Sequence, residues 1–261
     1  DGYTGAHVSD KYWPTNQTDY CRSSGTSFSC PTACGAGVII YEMFRDQLVA
    51  FGHTDSPSPA LIRAVLTNTA TDLAGGSDGN GGVLANIPNV HQGWGAVNLE
   101  TLASMKTSLY SVDQTEVFTA SGQEFQVVLS PMIAGYTLTW TDVPGIPGAA
   151  KELVNDLDLR VMQDGKAAQT FKGNVFSSGF SEPGGNLDRK NTLEAVYIEN
   201  PTGGPVTVRV TAFNIAGDGV PNTGGALDQD FALFVWNAGE PSSTGDVRIF
   251  PVDVNCDATV I

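Results

Sequence analysis

The sequence predicts two unlike parts, a mainly helical portion followed by an all-β antiparallel sandwich of jelly-roll type. Three observations predict this. Apolar residues recur at three- and four-residue steps within 27–50 and 57–72, the period of a helix with a buried stripe. After residue 110 the period falls to two, and no helical pattern returns. The 261 residues include 30 Gly and 14 Pro, a turn-rich composition that suits short strands. With 41% hydrophobic and 16% charged residues, the chain has the material for a packed core.

Residues 1–24 are polar and aromatic, with Tyr3, Tyr12, Trp13 and Tyr20, and read as a loop with one short strand over Lys11–Trp13. The turn Gly25-Thr26-Ser27-Phe28-Ser29-Cys30-Pro31 then opens a helix over 27–50, with Ala33, Gly37, Ile40, Phe44 and Leu48 on one face. Val38, Ile39 and Tyr41 widen that face. The first half of the helix is apolar nearly all round, a pattern that implies burial on every side. A second helix covers 57–72, with Ser58 as cap, Pro59 at the first position and Leu61, Ile62, Val65, Leu66 and Ala70 as its stripe. A glycine-rich loop follows from Gly75 to Gly82. The strands expected beyond it are Thr115–Phe118, Glu124–Leu129, Tyr136–Trp140, Asp158–Gln163, Ala167–Phe171, Glu194–Ile198, Pro205–Phe213 and Asp230–Trp236. In Leu153-Val154-Asn155-Asp156-Leu157-Asp158-Leu159 apolar and acidic residues alternate, so one face carries carboxylates. The domain boundaries that follow are 1–109, 110–238 and a tail at 239–261.

The net charge of −15 argues against a basic face for nucleic acid or anionic lipid. No apolar run is long enough to span a membrane. The opening Asp1-Gly2-Tyr3-Thr4-Gly5 reads as a mature or excised piece. The four cysteines, Cys21, Cys30, Cys34 and Cys256, lack zinc-ligand spacing, and His7, His53 and His91 sit in unrelated contexts. Cys30 and Cys34, four apart on one helix, read as buried small residues; Cys21 can pair with either or with a cysteine not in this chain. Asn16-Gln17-Thr18 fits a glycosylation acceptor. The plain reading is a soluble secreted protein with a solvated acidic surface.

A serine at a helix start has two uses. It caps the helix, or it acts as a nucleophile beside free backbone N–H groups that hold an oxyanion. Capping is the commoner use. The string Gly25–Pro31, however, resembles the nucleophile motif of the subtilisin-like serine peptidases, which makes Ser27 the attacking residue by position. Thr32 stands where that family usually has a histidine that is not its catalytic base. Ser58 to Ala70 resembles the family's next helix. Gly93-Trp94-Gly95-Ala96-Val97-Asn98 resembles the element before its last helix, which would fall at 98–106. The resemblance implies an α/β fold for residues 1–109, the C-terminal portion of a three-layer domain that is mainly helical here.

It also implies an endopeptidase acting on protein or peptide substrates through an acyl-enzyme, with no cofactor for catalysis. A serine nucleophile needs a base and a group that orients it. The family places its Asp, His and oxyanion Asn upstream, and only 26 residues precede Ser27. Asp1, Asp10 and His7 lack the family's contexts, and His53 and His91 fall in loops after the serine. The expectation is therefore a chain inactive alone, whose partner is the missing N-terminal half of the peptidase domain. The later strands, with Gly173-Asn174, Asn191-Thr192-Leu193-Glu194 and Asp230-Phe231-Ala232-Leu233, resemble the C-terminal sandwich of some secreted alkaline members. Those sandwiches hold structural calcium in loops. Asp188 and Asn191 are the nearest counterparts, next to the cations Arg189 and Lys190; a plain turn is the commoner outcome, and no residue is assigned to a metal. The competing readings are a non-catalytic β-sandwich that binds carbohydrate or protein, with Trp140 and Trp236 as candidate aromatics, and a degenerate pseudopeptidase.

Overall fold

Side chains on a strand alternate between its two faces, so period-two stretches form sheets with one face turned to a core. The computed structural model describes residues 16, 17, 19, 25–46, 56–78, 81–104, 109–129, 135–163, 169–201, 204–221, 223–225 and 227–236, with the backbone of 248–250. The described elements are α1 (Thr26–Arg45), α2 (Pro59–Asn68), α3 (Leu99–Ser104), β1 (Leu109–Phe118), β2 (Glu124–Leu129), β3 (Gly135–Thr139), β4 (Asp156–Gln163), β5 (Thr170–Ser177), β6 (Phe180–Pro183), β7 (Leu193–Tyr197), β8 (Val206–Asn214), β9 (Gln229–Trp236) and β10 (Arg248–Phe250). The expected strand over Lys11–Trp13 lies outside the described residues.

The strands form two sheets, ordered β1-β9-β3-β7 and β10-β2-β8-β4-β5-β6. Every ladder between them is antiparallel. The inner faces share one core, in which Phe118, Leu138, Phe231 and Leu233 meet Phe125, Val127, Leu159, Val208 and Val210. Phe231 stacks on Phe118 at 5.4 Å between centroids and takes Phe125 of the facing sheet edge-on at 5.5 Å. Each such side chain contributes about 1.5–3 kcal/mol through the apolar surface it buries.

Strand β9 is apolar on both faces because both are covered. Phe231, Leu233 and Val235 point into the sandwich core. Ala232 and Phe234 point outward into a second cluster with Ile40 and Phe44 of α1, Leu61 and Val65 of α2, and Leu102 of α3. Polar contacts fix the docking of α2. The Ser58 hydroxyl accepts the Leu61 N–H at 3.0 Å as the helix cap. Ser58 in turn donates its N–H (2.8 Å) and its hydroxyl (2.5 Å) to the Asp113 carboxylate on β1. At the other side of the helix, Thr139 Oγ1 of β3 donates to the Ala60 carbonyl (2.6 Å), and Asn68 Nδ2 donates to Thr137 Oγ1 (2.8 Å).

The free edge of β7 is closed by side chains of the opposite sheet, which removes a template for pairing with another chain. Asn174 accepts the Ala195 N–H at 3.0 Å and donates to the Leu193 carbonyl at 2.7 Å; Ser181 Oγ accepts the Tyr197 N–H at 3.0 Å.

These observations correct the expected fold class. A mainly helical α/β portion is not what forms, whereas two antiparallel sheets around one core agree in part with the expected β-sandwich. The described chain is mostly antiparallel β-sheet, and its few helices lie on the outer face of the four-stranded sheet. The helical period of 27–50 and 57–72 was a true local signal, but the helices rest on antiparallel strands from the far end of the chain. Helix α1 buries only Ala36, Ile40 and Phe44, one stripe at four-residue spacing. Of its other apolar residues, Phe28 (53%), Val38 (66%) and Ile39 (48%) are exposed, and Met43 is partly buried against the second cluster.

Candidate active site

Ser27 lies in the first turn of α1, with its side chain exposed. The N-cap of that helix is Gly25, which makes no side-chain cap bond and has φ 143°, a value that favours glycine. The Gly25 carbonyl accepts the N–H groups of Phe28 (3.0 Å) and Ser29 (3.2 Å). Of the two uses open to Ser27, capping is therefore not taken, and no hydrogen bond of its hydroxyl is found among the described residues. Pro31 inside the helix has no N–H to offer the Ser27 carbonyl one turn back. Thr32 directs its hydroxyl to the Phe28 carbonyl at 2.8 Å.

Chemically, this is a nucleophile-type side chain at the positive end of a 20-residue helix dipole, open to solvent. The only histidine among the described residues is His91, exposed in the loop before Gly93. Asp1, Asp10, His7 and His53 lie outside the described residues, as do Cys21 and Cys256. Cys30 and Cys34 are free and exposed, which corrects the expectation that they are buried.

The Gly93–Asn98 element ties the loop after α2 to the sandwich. Thr71 and Ala96 exchange backbone hydrogen bonds at 2.8 and 2.9 Å. Gly95, with φ 109°, is pressed against the Thr71 carbonyl so closely that a Cβ would collide with it. Asn98 accepts the Thr101 N–H at 3.2 Å to start α3 and donates to Thr71 Oγ1 at 2.9 Å. Trp94 packs edge-on against Phe176 (5.7 Å) and Tyr197 (6.3 Å). Asp72 gathers the same loop, accepting from Gln92 Nε2, the Ala74 and Ile87 amides and Asn86 Nδ2 at 2.9–3.2 Å. Partial burial pushes its carboxyl up, but these donors together hold it below the usual range. A cleft of about 180 Å³ opens beside this loop, lined in part by Asn68, Asp72, Tyr197 and Trp236; Ser27 does not line it.

The Asp156 and Asp158 carboxylates, both buried, share a face of β4 and are bridged by Arg189 Nη1. The Arg189 guanidinium also lies 3.7 Å above the Phe213 ring. Asp188 accepts from Asn174 Nδ2 (2.6 Å), Asn191 Nδ2 (2.6 Å) and the Lys190 N–H (2.8 Å). Those donors occupy the oxygens a cation would need, and Asn191 turns its N–H₂ toward Asp188, so this arrangement does not fit a calcium ion. Trp140 is fully buried, donating Nε1 to the Asn155 carbonyl at 3.0 Å, and Trp236 is half-buried, so neither forms an exposed aromatic platform.

Sequence reasoning missed Asn155 as an organising residue. It is fully buried, donates to Gly217 O, Asp228 O and Gln229 Oε1, and accepts from the Ala216 and Gly217 amides, all at 2.8–3.1 Å. A lone polar residue at a strand start gives no sign of partners more than sixty positions away.

The fold and site define a class first: a two-sheet β protein with a serine-bearing helix docked on one sheet. Comparison with known proteins narrows it. Residues 3–95, just over a third of the chain, match the model of the Subtilase family (peptidase S8). The chain is also similar to the Dictyostelium discoideum serine protease/ABC transporter B family protein tagB, at 26% identity over 79% of this chain. The matched part spans 14% of that relative's length. Both likenesses are to serine peptidases.

Proposed function

We propose that this chain is the C-terminal portion of a secreted serine endopeptidase in which Ser27 attacks the scissile carbonyl of a protein or peptide substrate. Ser27 then carries the acyl group until water releases it. The observation that carries this reading is the exposed, uncapping Ser27 in the first turn of α1, inside a Gly-Thr-Ser string within the family-matched residues. The Ser27 amide, at the helix start, is a natural donor to an oxyanion. The base, its orienting carboxylate and a second oxyanion donor come from the N-terminal half of the peptidase domain. That half covers the apolar side chains of α1 that face solvent here. Catalysis uses no cofactor, and the chain alone does not turn over peptides.

The test is labelling with a fluorophosphonate, which reacts only with an activated serine. The 261-residue chain is expected to stay unlabelled. The protein extended upstream is expected to label at Ser27 and to lose both label and peptide hydrolysis in Ser27→Ala. Stoichiometric labelling of the chain alone would overturn the dependence on an upstream partner. Hydrolysis that survives Ser27→Ala would overturn the role of Ser27.

A further inference from the structure

We propose that the outer face of the six-stranded sheet binds an acidic polysaccharide through a row of cations that crosses three strands. In register, Arg209 of β8 stands opposite Arg160 of β4, and Arg160 stands opposite Lys172 of β5. Cross-strand partners share a face and stand about 5 Å apart. Three positive side chains therefore line up over about 10 Å. Beyond Arg209 the register continues through Gln126 of β2 to Arg248 of β10. The chain has only 13 Lys and Arg and a net charge of −15, so composition does not supply such a row by itself. Like charges directly opposite one another destabilise a sheet. A local rule broken in this way is expected at functional sites. The helices lie on the other sheet, so the row is on the opposite side of the sandwich from α1. Neither Ser27 nor the N-terminal half of the peptidase domain takes part.

The carboxylates near the row do not cancel it. Asp158 meets Arg160 at 3.3 Å, but Arg189 already bridges it to Asp156, which Lys151 also reaches at 3.1 Å. Three cations thus face two carboxylates. Glu124 pairs with Arg209 at 3.5 Å, both side chains being partly exposed. Such a pair is worth about 0–1 kcal/mol, so a ligand's anion can replace it. Lys172 donates to the Gly185 carbonyl at 2.7 Å and has no carboxylate partner among the described residues. The surroundings narrow the ligand. Thr207 and Thr211 flank Arg209 along β8, and the exposed Phe213 ring beyond them is covered on one side by Arg189 at 3.7 Å. A protein partner would find no apolar centre in the row, where interfaces draw most of their energy. Duplex DNA carries one charge per about 1.7 Å, too dense for a short row on an acidic chain. A polyuronate carries one carboxylate per sugar ring, and a guanidinium can take a carboxylate through two parallel hydrogen bonds.

Polygalacturonate fragments are the probe, titrated calorimetrically into the full chain in calcium-free buffer across a salt series. Neutral dextran, poly-glutamate and duplex DNA are run beside them. The polyuronate should bind, its affinity should fall as salt rises, and dextran should not bind. Lys172→Gln should weaken binding about tenfold at low salt and make the salt dependence shallower by about one ion. Lys172→Arg should restore both. Arg209→Gln should act as Lys172→Gln does. Arg45→Gln removes the same charge from the exposed end of α1 and should change neither quantity. Melting curves check that each variant is folded, and the salt series on the parent chain needs no variant. Absence of binding, binding indifferent to salt, or equal binding of dextran would overturn the proposal. So would a Lys172→Gln effect no larger than that of Arg45→Gln. Tighter binding of poly-glutamate or of duplex DNA would overturn the ligand class.

Discussion

Ser58 joins two elements through one side chain. Its hydroxyl oxygen accepts the Leu61 N–H to start α2, and the same hydroxyl donates to Asp113 Oδ1 on β1. Both Ser58 and Asp113 are buried, so the carboxylate depends on protein donors for its solvation. Ser58→Ala removes the cap and one of those donors together, an expected loss of about 2–3 kcal/mol. Urea denaturation measures it, with exposed Ser29→Ala as a control expected to stay within about 0.5 kcal/mol. A loss no larger than the control would show that Asp113 is solvated without Ser58. The capping half of this arrangement was legible, because Ser-Pro before an apolar period is a helix start. The Asp113 half was not, since 55 residues separate the partners. Ser27 shows the same limit at the site. Its place at a helix start could be read from Gly25–Pro31, whereas its exposure depends on what covers α1.

Among elements, the strands that sequence located best are those with one plain core face. β2 runs over the expected Glu124–Leu129, β8 is shifted by one residue at each end, and β9 starts one residue early and ends at the expected Trp236. Less visible strands break the period for a structural reason. β1 begins at Leu109, six residues before the expected start, and has an irregularity between Asp113 and Val117 where Gln114 takes φ 56°. β5 runs to Ser177 through Lys172, Gly173 and Asn174, polar because Asn174 closes the β7 edge and Gly173 makes room for Glu194. β6 was missed. Its hairpin turns through Ser178 (φ 52°) and Gly179 (φ 87°), a pair with positive φ at both positions that propensity does not flag. Helix α1 gives the sharpest element-level test, because its apolar residues divide into two faces. Ile40→Ala, at the buried stripe, should cost about 2–5 kcal/mol. Val38→Ser, two residues away on the open face, should stay within about 0.5 kcal/mol. Equal costs in denaturant titrations would mean that both faces are covered in solution.

At the scale of the molecule, the chain is acidic, with a net charge of −15, and places several carboxylates inside rather than on the surface. Their signs differ. Asp72 and Asp188 are held below the usual range against the opposing effect of burial, Asp188 by Asn191, Asn174 and two backbone amides. Each adds stability that is present above the unfolded value of 3.8 and is lost as pH falls. Glu194 runs the other way. Burial raises it well above 4.5, only partly countered by the Leu159 N–H, and Asp158, Asp188 and Asp156 raise it further. The folded chain therefore binds this proton more tightly than the unfolded chain does. Its stabilising effect is full below pH 4.5 and disappears as pH rises through the raised folded value. Glu194→Gln keeps an oxygen for the Leu159 N–H and removes the titration. Its melting temperature relative to the parent should therefore climb as pH rises from 4.5 through the raised folded value. Exposed Glu182→Gln removes the same formal charge without the burial, so it separates this local effect from relief of the overall negative charge. A Glu194→Gln difference that stays flat with pH, or that Glu182→Gln reproduces, would mean that Glu194 ionises in the folded chain as freely as it does in water.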